Sequence, residues 1–224
     1  MPIFHEQPLS RSFYTRSTLD VAAELPGKML VSQSSDGLLL AARITEVEAY
    51  LGQDDPASHA FRGPRGRAEI MFSTPGTLYV YFSYGMHFCM NAVAHAGEGR
   101  AGAVLIRAAL PVLGIDAMQR NRGVERPTAR LARGPACLTA ALGITREHNG
   151  ADLVDGTVRI HAAGDPLESE EHVCASPRIG ISKAVEFPWR FYLCGHPTLS
   201  GTGRLNQCKQ PTKKLSKKPP HVIE

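Results

Sequence analysis

The stretch that most restricts how this chain can fold runs from Arg43 to Gly52, Arg-Ile-Thr-Glu-Val-Glu-Ala-Tyr-Leu-Gly. Read at period two, Thr45, Val47, Ala49 and Leu51 form a mostly apolar face, and Ile44, Glu46, Glu48 and Tyr50 form the other. A strand with its apolar face buried projects two carboxylates and a phenol in one direction. Such a strand either turns its acidic side to water or floors a site. The residues that follow favour the site. Asp54, Asp55, His59, Arg62, Arg65 and Arg67 crowd into a segment too rich in glycine and proline for a regular helix.

Around this stretch the chain alternates short elements. Residues 1–17 read as an irregular lead-in, and Ser17-Thr18 caps a helix over Leu19–Leu25 that Pro26-Gly27 ends. Met29–Val31 and Leu38–Thr45 read as strands, the second running into the acidic stretch. Thr77–Ser83 alternates strongly, and with His87–Val93 it predicts a hairpin whose tip is Tyr84-Gly85, Gly85 supplying positive φ. Gly102–Ala109 is apolar on both faces except at Arg107, which marks a central strand whose guanidinium needs a carboxylate partner. Asn91, inside another apolar strand, raises the same question. Helices are expected near Ile115–Arg120 and over Ala136–Leu142, the latter bracketed by Pro135 and Gly143. Val158–His161 and Arg178–Ile181 are further strand candidates, and Trp189–Leu193 is a strand or a last helical turn. The sum is one domain of strands and short helices over 1–203. Residues 204–224 read as a basic, mobile tail.

Charge narrows the function classes. The net charge of +4 is concentrated in the tail, so the body is not a basic protein, and any polyanion must meet a local patch. Arg120, Arg122, Arg126, Arg130 and Arg133, opposed only by Glu125, supply one, unless they are simply a solvated helix end and loop. No apolar run reaches the roughly 18 residues that span a bilayer. The N-terminus has no basic-then-apolar signal pattern, so a cytoplasmic protein is expected. Cys89, Cys137, Cys174, Cys194 and Cys208 are odd in number and never spaced C-x-x-C, which argues for free thiols over disulfides or a zinc site. His59, His87 and His95 lack a ligand pattern, so neither metal nor cofactor is expected.

Phosphate loops, dinucleotide fingerprints, nucleophile elbows and zincin motifs are all absent from the sequence. What remains is a carboxylate-and-aromatic site. Glycosidic bonds break through an oxocarbenium-like transition state, which a carboxylate stabilises while it activates water. Two acids on one strand are badly placed to flank a bond, so one catalytic and one structural acid is the simpler assignment. Tyr50 and Tyr81 offer flat π surfaces suited to a purine, especially a cationic one.

The strings Glu48-Ala49-Tyr50-Leu51-Gly52, Asp55-Pro56-Ala57-Ser58-His59, Pro75 to Tyr81 and Tyr84 to Asn91 resemble the alkyladenine (3-methyladenine) DNA glycosylase family in order and spacing, within a match from about 10 to 200. The resemblance implies a mixed α+β fold, a curved, largely antiparallel sheet or open barrel flanked by short helices, in a monofunctional, metal-free base-excision enzyme acting as a monomer on duplex DNA that contains a damaged purine. It assigns Glu48 as the general base and gives Arg107 and the carbonyl of Ile179 the task of holding the attacking water. Tyr50, His59 and Tyr81 become the walls around a flipped base, and Asn91 the filter against guanine. Tyr84 becomes the wedge entering the duplex with Met86 beside it, while Arg67, Arg120 and Arg122 meet DNA phosphates. Ala68 and Cys137 depart from the family pattern, which usually has Asn and Lys there. The residues alone also fit a non-catalytic nucleic-acid-binding module, or a hydrolase of free nucleosides.

Overall fold

The computed structural model describes residues 7–34, 36–83, 85–123, 125–162 and 171–201; Tyr84 and the tail from 204 to 224 lie outside the described residues. Strand β2 (Leu39–Tyr50) organises the sheet. One of its edges pairs with β1 (Met29–Gln33) and then, at Glu46–Glu48, with β8 (Arg190–Leu193). The other edge pairs with β5 (Ala103–Leu113). Outward from β5 lie β4 (His87–Val93) and β3 (Leu78–Ser83), while β6 (Val158–His161) flanks β1 and β7 (Val173–Ser176) flanks β8. All these pairs are antiparallel, and the eight-stranded sheet stays open. The mixed α+β domain with a curved antiparallel sheet is therefore as expected.

The helices are short, and they pack on the sheet's central strands. Ser17 caps α2 (Thr18–Glu24) by accepting from the Asp20 amide, as read from sequence. Pro135 opens α5 (Pro135–Ala141), which lies on β4 and β5. Three more segments, α1 (Arg11–Tyr14), α3 (Ile115–Arg122) and α4 (Thr128–Leu131), complete the helical layer. The lead-in is thus less irregular than predicted: α1 forms because Tyr14 is fully buried in the main core.

Three sequence readings need correction. The faces of β2 do not alternate throughout: Leu40, Ala42 and Ile44 share the core cluster with Val47 and Ala49, so the side chains change parity between Ile44 and Val47. The cause is an irregular register at that point, where Ile44 faces Ala109, Glu46 faces Ala108 and Val47 faces Ile106. Thr45 and Arg107 are left without opposite residues, as in a bulge, and a one-residue slip inverts which face each side chain takes. The run Arg178–Ile181 is not a strand; the strand is β7, just before it. Finally, Cys174 and Cys194 form a disulfide with a Cα–Cα distance of 5.5 Å, although spacing argued for free thiols. Two strands pairing in space bring together what lies 20 residues apart in sequence. Cys89 and Cys137 are free.

The sheet centre is charged. Arg107 Nε donates to Glu46 Oε1 at 3.0 Å and Arg190 Nε to the same oxygen at 2.7 Å. The Ser200 amide and hydroxyl complete the shell at 2.6 and 2.8 Å. Burial raises the Glu46 pKa, but Arg107 and Arg190 outweigh it and hold the carboxyl below its ordinary range. Glu46 is therefore the structural acid. Replacing Arg190 with Ala strands a buried carboxylate and should cost about 3–5 kcal/mol in urea unfolding. By contrast, Arg16→Ala, which breaks an exposed pair with Glu24, should cost under about 1 kcal/mol. Equal losses for the two variants would refute this account of the core.

Candidate active site

Glu48 follows Glu46 by two residues, beyond the irregular register, and it too is fully buried. Its partners differ in kind. Oε1 accepts from the Ile179 amide at 2.7 Å. Oε2 accepts from the Tyr50 hydroxyl at 2.8 Å and from Arg107 Nη1 at 3.2 Å. Arg107 thus bridges the two acids. Burial opposes its charge, but Glu48 and then Glu46 hold the guanidinium above its ordinary pKa range. Because 178–181 is loop and not strand, the backbone N–H of Ile179 is free to face a carboxylate.

Tyr50 stands between Glu48 and a cavity of about 540 Å³, whose walls include His59, Arg67, Tyr79, Tyr81 and Asn91. Burial, then the neighbouring Glu48 charge, raises the Tyr50 pKa far above the ordinary value, so the phenol keeps its proton and donates it in the bond to Glu48. Arg178 lies over the Tyr50 ring at 4.6 Å and over Trp189 at 4.9 Å. The same guanidinium pairs with fully buried Asp55, Nη2 reaching Oδ1 at 2.9 Å, and Nη1 reaches the Ala49 carbonyl at 2.9 Å. This clamp fixes both the Tyr50 ring and the chain entering Ile179. Gly52, which turns the chain out of β2, has φ 66°, and a Cβ there would lie 2.3 Å from the Ala101 carbonyl oxygen, so only glycine fits.

The opposite aromatic group is a cluster. His59 and Tyr81 meet edge to face at 4.8 Å, and Tyr79 packs on Tyr81 at 5.3 Å. His59 Nδ1 lies 2.9 Å from the Tyr79 hydroxyl. Burial, then Arg67, lowers the His59 pKa to about 4, although the ring faces an open cavity where water screens part of the effect. Arg67 itself sits 5.5 Å over the Tyr81 ring, at the cavity wall. Asn91 is buried and donates from Nδ2 to the Tyr79 carbonyl at 3.1 Å, which answers why an amide sits in an apolar strand.

The structure therefore brings together Glu48, Arg107, Ile179, Tyr50, His59, Tyr81, Asn91 and Arg67. Met86 is 69% exposed on the β3–β4 turn, where Gly85 has φ 67° as expected. Arg120 is exposed on α3, whereas Arg122 is tied to the Leu131 carbonyl at 2.5 Å and anchors α4. Ala68 is buried with Met71 and Tyr79, and Cys137 is half-buried on α5. Sequence reading missed Ile181, Ser182 and Lys183, which supply another wall of the cavity. The signal available was their position directly after Ile179. Ala184 next to them has φ 52°, a left-handed conformation unusual for a residue with a Cβ.

Fold and cavity define a class, a mixed α+β enzyme with a carboxylate held behind an aromatic pocket. A family model described as methylpurine-DNA glycosylase (MPG) matches residues 12–197. Among relatives, a protein of Chlorobium luteolum is 47% identical over 192 residues, 86% of this chain and 96% of its own. One of Chlorobium phaeobacteroides is 46% identical over 195 residues, 87% and 96%, and one of Methanoculleus marisnigri 45% over 188 residues, 84% and 95%. All three are provisionally named 3-methyladenine DNA glycosylases. The chain belongs to the methylpurine-DNA glycosylase family and is a monofunctional DNA N-glycosylase. Among the described residues, no helix is long and apolar enough to cross a membrane.

A depressed histidine pKa means that the unfolded chain takes up a proton first as pH falls. His59 therefore costs stability progressively from about pH 6.5 down to about pH 4, and its ring is neutral above that window. Histidine NMR should show the His59 ring titrating well below 6.5, with Arg67→Ala moving it upward. A midpoint at the free-histidine value would remove this reading.

Proposed function

We propose that the chain flips alkylated or deaminated purines of the 3-methyladenine, 7-methylguanine, hypoxanthine and ethenoadenine type out of duplex DNA and hydrolyses their N-glycosidic bond with a water activated by Glu48. It acts as a monomer on the DNA of the cytoplasm. The observation that carries this is the placing of Glu48, gripped by the Ile179 amide, Arg107 and Tyr50, directly behind a cavity with aromatic walls.

The steps follow from that arrangement. Extruding a base costs a few kcal/mol, less when damage has weakened its pairing. Tyr84, with Met86 of the β3–β4 turn, fills the vacated space and recovers part of the cost. The purine slots between Tyr50 and the His59–Tyr81 pair, where Asn91 opposes the 2-amino group of undamaged guanine. Arg67 and Lys183 at the cavity, with Arg120 on α3, meet phosphates. Glu48 is sealed from solvent behind Tyr50, so the Tyr50 hydroxyl gives up its place on Oε2 as the nucleotide and its water enter. The C1′–N bond then breaks with its electron pair passing to the purine, water attacks C1′, and Glu48 takes the water's proton. A purine alkylated at N3 or N7 starts as a cation, so accepting that pair neutralises it; neutral hypoxanthine or ethenoadenine leaves as an anion, which takes up the proton released from the attacking water.

Replacing Glu48 with Gln keeps the size but removes the base. Single-turnover release from a 7-methylguanine or hypoxanthine duplex should fall by about 10²- to 10⁴-fold, while the Kd for the lesion duplex stays within about threefold. Wild-type release by the variant would overturn the assignment. Cleavage of free inosine at a rate comparable to the duplex substrate would replace it with a nucleoside hydrolase.

A further inference from the structure

The β7–β8 pair carries a second cluster of reactive side chains, remote in role from base release. The Cys194 amide donates to the His172 carbonyl at 3.0 Å, extending the ladder one residue beyond the Val173–Leu193 pair. His172 therefore stands across from Cys194, and Cys174, two residues on, projects from the same face. The imidazole nitrogen and both sulfurs lie within 4.8 Å of one another. Cys174 is buried beside Tyr192 and Leu199, Cys194 is half-buried, and His172 is exposed. One imidazole nitrogen and two sulfurs at that spacing make a donor set for a thiophilic divalent metal.

We propose that, when the cysteines are reduced, His172, Cys174 and Cys194 form a zinc site. Thiolate and imidazole donors select zinc over magnesium or calcium. Tetrahedral zinc, with Zn–S near 2.3 Å and Zn–N near 2.0–2.1 Å, needs donors on the order of 3.5–3.8 Å apart. The Cα–Cα distance of 5.5 Å accommodates this, because the sulfurs separate by side-chain rotation without moving the strands. Binding converts two thiols to thiolates and releases two protons, giving a neutral unit of one Zn²⁺, two thiolates and a neutral imidazole, which suits a half-buried place. The fourth position, on the exposed His172 side, takes water. Disulfide and zinc are thus alternative ties across one strand pair. That pair matters to the active site, since Ser176 accepts from Arg190 and the chain leaving β7 delivers Arg178 and Ile179.

The test is metal content. The full chain, reduced with a phosphine, incubated with zinc chloride and passed through a desalting column, should retain about one zinc by mass spectrometry. His172→Ala, an exposed position that should leave folding intact, and Cys174→Ser should each retain less than a tenth of that. Cobalt substituted for zinc should give a thiolate-to-cobalt charge-transfer band that both variants lose. With zinc bound, Cys174 and Cys194 should resist iodoacetamide, and a chelator should restore their labelling. Reduced wild-type protein without stoichiometric zinc, or His172→Ala holding zinc as tightly as wild type, would overturn the proposal.

Discussion

Two glutamates and two arginines buried at the middle of the sheet set the terms for everything around them. Glu46, Glu48, Arg107 and Arg190 cancel in formal charge, and each is at most 8% exposed. Taking such groups out of water costs several kcal/mol per ion, repaid only when geometry and hydrogen bonds are nearly complete. Arginine suits this better than lysine, because its fork reaches several acceptors at once. Arg107 does so, touching Glu46, Glu48 and Ser200. It reaches them from the irregular stretch of β5, opposite the irregular stretch of β2, where both strands exchange the faces of their side chains. A regular ladder would have no residue free of an opposite number there.

The two acids divide the work through their partners. Glu46 is held by Arg107, Arg190 and Ser200, groups of the interior, and none of these lines the cavity. Glu48 shares Arg107 but takes its other two donors from Tyr50 and Ile179. Tyr50 belongs both to the carboxylate and to the cavity wall, so what enters the cavity is felt at Glu48. The Arg178–Asp55 clamp makes that coupling specific. One guanidinium stacks on Tyr50, binds the Asp55 carboxylate and immediately precedes Ile179.

Much of this is legible in the sequence, and the limits are physical. The β3–β4 hairpin and the strand containing Arg107 follow from alternation and from apolar runs, both local signals. That a central-strand arginine needs a carboxylate is equally local in its logic. Which acid the interior holds and which meets Tyr50 is not, because it depends on distant side chains: Arg190, which holds Glu46, lies 144 residues from it along the chain. Period-two reading also misplaces Ile44, since periodicity has no term for a register shift. Arg178–Ile181 has strand composition but loop geometry, with Arg178 held by Asp55 and not by a ladder. Lys183 and the Cys174–Cys194 pair carry no local pattern at all. Tertiary pairing alone brings them to their sites.

The charge around the cavity explains why its aromatic walls are tuned as they are. A purine alkylated at N3 or N7 is a cation, and Arg67 and Lys183 already bring positive charge to the walls. In the proposed complex a protonated imidazole among them would repel that base. His59 avoids this, because burial of its ring and the nearby Arg67 lower its pKa to about 4. The arginine that contacts phosphate in the proposed complex thereby also keeps the neighbouring ring neutral. Tyr79 and Tyr81, raised well above ordinary phenol pKa values chiefly by burial, contribute π faces without charge of their own. In the proposed complex the negative charge nearest the base is that of Glu48, where cleavage of the glycosidic bond would develop positive charge on the sugar.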